Sequence, residues 1–421
     1  MKNTSVDRLG DAAMDELASK KVGPLASLGH REYRLLLIGR PFITTSSWMR
    51  NTVNAFQVYQ LTDDARLLGL TFLFQGLPSL VLGFFGGALA DMLDRRRLLQ
   101  VAAVGQLFLA LVLAALTASG RIEVWHIYGV TLLGAGLQSA TQPAQSALIP
   151  SLVPKHHLMN AIALSSTVMQ ASMLCAPLLG GVLVDVAGAA AAYLVGALLI
   201  VPAIVTLAML RPPVLVRPVL ARNFAMLFEG LTFTIRSRIL LAFISLDTIT
   251  MVFGYYPAMM PVIAEDVLKV GATGFGALLA APSLGSMLGF VGVMLLGNFK
   301  RKGAVILLVS IGHALALILF AYSPWFATSF ICAAFLGFFD SMSLSVRHTS
   351  FQLLAPDEVR GRVLAILSMA AISSNSFGGA YLGLATSFLG VQHALALGGV
   401  VGGLYAAYVA VFWRRVWAFR A

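Results

Sequence analysis

Ionisable and amide side chains set deep inside otherwise uncharged apolar stretches are the residues of this chain best able to do chemistry. Ser47, Arg50, Asn54 and Gln57 recur three or four apart, the spacing that puts side chains on one face of a helix. Gln138, Thr141, Gln142 and Gln145 repeat that pattern, and Ser245, Asp247, Thr248 and Tyr255 and then Asp340, Ser343, Arg347 and His348 add carboxylates. A carboxyl in a low dielectric favours its protonated form, so Asp247 and Asp340 are candidates for taking up and releasing a proton. The alternative is a permanent ion pair with Arg50 or Arg347 that only ties helices together. Arg50 lies about 22 Å along its helix from Leu35, too deep to snorkel to water. A cation there suits an anionic ligand, unless it is paired with Asp247 or Asp340. Arg50, Asn54, Gln57, Gln138, Gln142 and Tyr255 form the expected binding group. Asp185 reads as a solvated residue near a helix end.

The elements that position these residues follow from composition. In 421 residues, 58% are hydrophobic and only 11% charged, and the mean hydropathy is +0.85, which excludes a soluble domain. Uncharged or nearly uncharged runs span Leu35–Leu61, Leu67–Ala90, Leu98–Ser119, Val124–Leu148, Leu158–Ala187, Ala189–Leu210, Leu240–Met260, Ala272–Leu296, Ala304–Ala321, Trp325–Phe351, Val363–Leu389 and Val391–Trp413. At about 1.5 Å per residue each can cross a hydrocarbon core of about 30 Å. The expected fold class is an all-α membrane protein with twelve transmembrane helices in two six-helix halves.

The expected division is a cytosolic tail at 1–34, one half at 35–210, a cytosolic linker at 211–238, the second half at 239–413 and a short tail at 414–421. The linker opens with Pro212, Pro213 and Pro218, and Phe224, Leu227, Leu231 and Ile235 then recur at helical spacing, as in a surface-lying amphipathic helix. The net charge of +11 does not indicate nucleic acid, because the bases lie in short segments between apolar runs. With both termini cytoplasmic, only Arg66, Arg121 and Lys269 fall outside and only Arg40, Arg50 and Arg347 fall within helices, a strongly positive-inside pattern. The N-terminal tail has no signal-peptide core, and Cys175 and Cys332, each inside an apolar run, imply no disulfide framework.

The tightest charged turn is Gly87-Ala-Leu-Ala-Asp91-Met-Leu-Asp94-Arg95-Arg96-Arg97, between the second and third runs. It resembles the loop signature of the major facilitator superfamily, matching at Gly87, Leu89, Ala90, Asp91, Arg95 and Arg96. Asp94 replaces the usual second glycine; aspartate tolerates left-handed turn conformations, so the turn is expected to survive. Arg95–Arg97 is answered by Lys300-Arg301-Lys302, and Leu148–Pro154 by Phe351–Pro356, each a little over 200 residues later. Ala176-Pro177-Leu-Leu-Gly180-Gly181 resembles the antiporter signature of the fifth helix, though small residues also make plain packing faces. Pro143–Pro154, Tyr256-Pro257 and Ala355–Arg362 are similar to the branch that holds the enterobactin exporter and the macrolide efflux pumps.

The resemblance implies the major facilitator fold, a cavity lined by helices one, four, seven and ten with helices three, six, nine and twelve facing lipid, and gating by Gly87, Asp91, Arg95 and Arg96 on the cytosolic side. It implies a secondary active exporter, a proton-coupled antiporter of a small polar or anionic metabolite such as a siderophore, working by alternating access. A drug efflux pump of the macrolide type and a lysophospholipid flippase stand as alternatives, and a sensor without flux is a further class. No Walker loop, His-Glu-x-x-His or Gly-x-Ser-x-Gly element is present, so neither ATP hydrolysis nor an enzyme is expected. The expected partners are the substrate, protons and the bilayer, with no cofactor, metal or nucleic acid, and the expected form is a monomer in the bacterial inner membrane.

Overall fold

The computed structural model describes residues 23, 25–92, 94–211, 224–297, 301–356 and 359–417, and for 82–92, 224–229 and 414–415 the backbone alone. Among the described residues every regular element is helical. The principal helices are α1 (Arg31–Thr62), α2 (Ala65–Met92), α3 (Arg95–Ala118), α4 (Val124–Leu152), α5 (Leu158–Met209), α6 (Phe224–Arg236), α7 (Arg238–Gly254), α8 (Gly271–Leu296), α9 (Lys302–Ala321), α10 (Phe326–Leu354), α11 (Arg360–Leu389) and α12 (Val391–Phe412). Most are long apolar runs with few charges, and the prolines inside α1, α2, α4, α5 and α8 do not end them.

Eight helices among the described residues are long and apolar enough to cross a membrane. The twelve runs of the sequence count differently for physical reasons. One element, α5, holds two runs, and its backbone breaks at Gly188 (φ 81°, ψ 166°), a conformation that favours glycine. Gly390 (φ 78°) makes the same kind of turn between α11 and α12. Helices α1 and α4 fall short in hydropathy because they carry the arginines and amides described above.

The seventh run, expected to reach Met260, ends as α-helix at Gly254. Pro257 lacks a backbone N–H, and the chain continues as a 3-10 turn at Tyr256–Met259 and a π turn at Ile263–Val267. The expected surface helix is present as α6. Its Gly230 lies against Arg362 of α11, while Leu231 and Ile235 are exposed. Residues 212–223 of the linker, with its prolines, lie outside the described residues, as do the tails at 1–22 and 418–421.

Asp94 works differently from expectation. Its backbone is extended (φ −63°, ψ 117°), not left-handed, and its carboxylate accepts from the N–H groups of Arg96 (2.9 Å) and Arg97 (3.3 Å). It is the N-cap of α3, satisfying donors that a helix start leaves orphaned. An aspartate can therefore stand where the superfamily pattern has glycine.

The helices meet along seams of small residues, as expected where lipid offers no hydrophobic drive and close backbone approach supplies the attraction. Helix α5 lies along α1 and α8, α2 along α4 and α11, and α8 along α10. On the α5–α8 seam Gly181 faces the Ala272 carbonyl and Gly276 the Pro177 carbonyl, so the residues of the antiporter-like motif pack α5. On the α2–α11 seam a Cβ built on Gly69 would sit 2.6 Å from the Gly379 carbonyl oxygen. One apolar core, around Phe56, Tyr193, Phe275 and Phe320, joins helices from before and after residues 212–223.

On the α8–α10 seam a Cβ on Gly337 would overlap the Pro282 carbonyl. Gly337→Val should therefore cost about 1–3 kcal/mol by forced separation of the helices. Gly129→Ala, with nothing within 4 Å of its new methyl, should leave stability unchanged. In a background lacking the exposed Cys175, a thiol-reactive dye reading the half-buried Cys332 during thermal unfolding in detergent checks both, and an unaltered midpoint for Gly337→Val would refute the packing argument.

Candidate functional site

Two adjoining cavities of about 470 and about 400 Å³ lie within the bundle, sharing Trp48, Ser79, Gln138, Met173 and Ile372 in their walls. The first is walled by α1, α2, α4 and α5 on one side and by the turn after α7, α8, α10 and α11 on the other. Its surface mixes amides (Asn51, Asn54, Gln75, Gln138, Asn375) with aromatic faces (Trp48, Phe72, Tyr255, Phe275). Asp340 is the charged residue in that wall. The second cavity continues between α1, α3, α4 and α5 toward Arg40, Gln145 and Thr206, on the side of the Arg95–Arg97 turn.

At the opposite end the bundle is closed. Phe56 stacks on Phe275 at 5.5 Å between ring centroids, and the Tyr59 hydroxyl donates to Asp266. Asp185 accepts from the backbone N–H groups of Ala272 (3.1 Å) and Thr273 (2.7 Å). It is therefore not a merely solvated residue: it supplies the acceptor that the first turn of α8 lacks within its own helix, at the positive end of that helix's dipole.

The expected binding residues divide. Asn54, Gln138, Gln142 and Tyr255 line the cavities. Asn54 is held by donating to Thr131 Oγ1 (3.0 Å) and accepting from the Tyr193 hydroxyl (2.9 Å). Gln57 lies outside the wall and is locked between Thr117 and the same Tyr193 hydroxyl, at 3.3 and 2.8 Å. Arg50 also turns away: its guanidinium donates to Gln106 of α3 and lies against Gly134 of α4, and among the described residues it has no ion pair. Gln106 in turn donates to the Gly134 carbonyl at 2.9 Å, closing a buried triangle. The cationic feature that favoured an anionic ligand thus does not face the cavity.

The two acids divide as well. Asp247 of α7 is ion-paired with Arg347 of α10, both buried, which is the structural alternative raised from sequence. Asp340 has no ion pair among the described residues and opens on the central cavity. A third, small cavity of about 20 Å³ touches both acids together with Ser310 and His313.

Of the gating residues, Gly87 lies on α2, and the Asp91 side chain lies outside the described residues. Arg95 donates to the Ala147 carbonyl (3.2 Å) near the end of α4, and Arg96 to carbonyls of Leu207 and Ala208 at the end of α5. The Arg96 guanidinium thereby satisfies carbonyls that the end of α5 leaves open, while Arg95 shares a carbonyl one turn inside α4.

Sequence reasoning missed Gln75 of α2, Asn375 of α11 and Ser283 and Ser286 of α8, all in the cavity wall. Gln75 and Asn375 are isolated amides in apolar runs, a signal that could have found them. It also assigned the third and ninth runs to lipid, yet Gln106 of α3 and His313 of α9 are buried, at 5% and 3% exposure.

Comparison with known proteins agrees with this architecture. The family model described as transmembrane secretion effector matches residues 22–421. The chain is 25% identical over 358 residues to the enterobactin exporter EntS of Shigella boydii serotype 4 (strain Sb227), covering 84% of this chain and 85% of that one, and equally similar to EntS of Escherichia coli O81 (strain ED1a). Among solved structures, a bacterial homolog of the human lysosomal transporter Spinster, inward-facing and unoccupied, superimposes with a TM-score of 0.71 at 15% identity, covering 92% of this chain and 98% of that one. The nucleoside transporter NupG gives 0.70 at 13% identity, covering 90% and 100%.

Removing one partner of the buried pair leaves the other charged and unpaired in a low dielectric. Asp247→Asn should therefore lose about 3–5 kcal/mol, and the double variant with Arg347→Gln should recover much of it. Thermal unfolding of the purified variants reads this, and a double variant no more stable than Asp247→Asn would contradict it. At the closed end, Asp185→Ala should favour opening about five-fold, the effect of about 1 kcal/mol for exposed charge-assisted bonds. Spin labels at the exposed Val186 and Phe388, in a background lacking Cys175 and Cys332, should then show a longer distance population, and an unshifted distribution would exclude a closing role.

Proposed function

The chain belongs to the transmembrane secretion effector family, in the enterobactin exporter branch of the major facilitator superfamily, and on that premise we propose that it is a proton-coupled antiporter exporting a small polar metabolite, with a siderophore as the leading substrate. The observation that carries this reading is the amide-and-aromatic cavity with Asp340 in its wall, closed at the Asp185 end and extending toward the Arg95 end. EntS is by its name an exporter of enterobactin, and the similarity to it favours a siderophore here too. Because Arg50 is turned into the bundle, selection for this cargo rests on hydrogen bonding and ring stacking more than on attraction to a cationic wall.

The working cycle follows from alternating access. The twelve runs form twelve membrane helices in two six-helix halves, 35–210 and 239–413, joined by the linker at 211–238, with both termini cytoplasmic in the bacterial inner membrane and a monomer as the functional unit. The Asp185 end is the periplasmic side and the Arg95 end the cytoplasmic side, so the cavity described above faces the cytoplasm. Cargo enters there, the seams at the periplasmic end part, and the Gly87–Arg96 turn closes the cytoplasmic end, with Asp91 as its latch. Asp340 exchanges the coupled proton. Efflux of an apolar drug is the second reading, favoured by Trp48, Phe72, Tyr255 and Phe275 in the wall.

Iron-starved cells with and without the protein should differ in one chelator by mass spectrometry, lost from the medium and retained inside when the protein is absent. Asp91→Asn, at unchanged membrane abundance, should reproduce most of that loss. Matching profiles would remove the siderophore reading and make drug susceptibility the next assay.

A further inference from the structure

Helix α9 carries an unexplained group. His313 lies about 16 Å from the start of its helix, near mid-membrane, and is 3% exposed. Among the described residues neither ring nitrogen has a hydrogen-bond partner. A neutral imidazole needs one acceptor and one donor, and leaving them unmet in a buried site costs free energy that a leucine at this position would not. His313 is instead one wall of the small cavity of about 20 Å³, whose other walls include Asp247, Thr250, Ser310, Asp340 and Ser343. That volume suits one water molecule, and this wall offers the several polar partners a buried water requires. One further atom without a hydrogen-bond partner among the described residues, Nε of Arg347, lies in the same buried cluster.

We infer that His313 is a second proton-exchanging group of this protein, linked through one water to Asp340 and set beside the Asp247–Arg347 pair. The inference rests on the proton-coupled reading above and adds to it the route by which the proton leaves the cavity wall. A proton taken up by Asp340 from the central cavity passes through the bridging water to a ring nitrogen of His313. The products are the Asp340 carboxylate and the His313 imidazolium, with no other bond changed. The imidazolium then competes with the Arg347 guanidinium for the Asp247 carboxylate, while the restored Asp340 carboxylate offers either cation a second partner, and this exchange of partners weakens the tie between α7 and α10. The turn that follows α7 carries Tyr255 and Tyr256 in the cavity wall, so loosening this tie acts on the cargo site.

The groups facing His313 are Asp247 from α7, the Tyr256 ring at 6.3 Å between centroids, and Asp340 and Arg347 from α10. Helix α12, which packs against α9, contains no Asp, Glu, Lys or Arg. His348 follows Arg347 in sequence but is not part of the small cavity's wall.

The test uses the full chain in lipid nanodiscs with spin labels at Val186 and Phe388, titrated from about pH 5 to about pH 8, the range in which imidazole changes charge. Wild type should change its ratio of open to closed distances across this range, and His313→Gln should move the midpoint at least tenfold in proton concentration or abolish the change. A purely structural histidine would lower thermal stability in His313→Gln without moving the midpoint, and that result overturns the inference while leaving proton coupling in place. A wild-type protein indifferent to pH overturns both. If His313→Gln does not fold, imidazole nitrogen chemical shifts in protein whose other histidines are replaced by Gln read the same titration. An imidazole that stays neutral throughout refutes the inference, and one that titrates with the distance change supports it.

Discussion

Hydrocarbon offers no hydrogen-bond partner, and nearly everything in this molecule follows from that constraint. A backbone that must satisfy its own N–H and C=O groups becomes helix wherever it meets lipid, and a polar side chain on such a helix must turn inward. The turned-in groups then need one another or a water-filled space. Arg50 finds Gln106, Asp247 finds Arg347, Tyr193 finds Asn54 and Gln57, and the remainder line the central cavities.

The same constraint explains what was legible beforehand. Deep polar residues mark the water-lined interior because nothing else tolerates them, so Asn54, Gln138, Gln142, Tyr255 and Asp340 could be placed on the cavity from one dimension of information. Their pairings could not. Which of Asp247 and Asp340 meets Arg347, and whether Arg50 meets either, depends on the rotation of each helix about its axis, and small-residue seams fix that rotation through contacts between residues far apart in sequence. A helix read as lipid-facing can hide one inward histidine for the same reason: a single polar residue in twenty hardly alters a periodicity. The Asp94 cap was misassigned because an aspartate in a turn has two uses, a left-handed backbone and a side-chain acceptor, and only the dihedral angle separates them.

The two ends of the bundle are held by different physics. At the Asp185 end, glycine-lined contacts and apolar rings join helices from before and after residues 212–223, with a few polar contacts at the rim. At the Arg95 end, the guanidiniums of Arg95 and Arg96 tie the start of α3 to the ends of α4 and α5, all before that segment. The first kind of contact is short-ranged and parts cleanly when helices tilt. The second ties three neighbouring helices to one another.

The rim contact of Asp185 has a genetic side. Its donors are main-chain amides of residues 272 and 273, so any amino acid other than proline at those positions supplies them equally well. Only the acceptor is written in the side-chain alphabet. No compensating exchange between the two partners can arise during evolution, and a search for residue pairs that change together across relatives would pass over one of the polar bonds that closes this end of the protein.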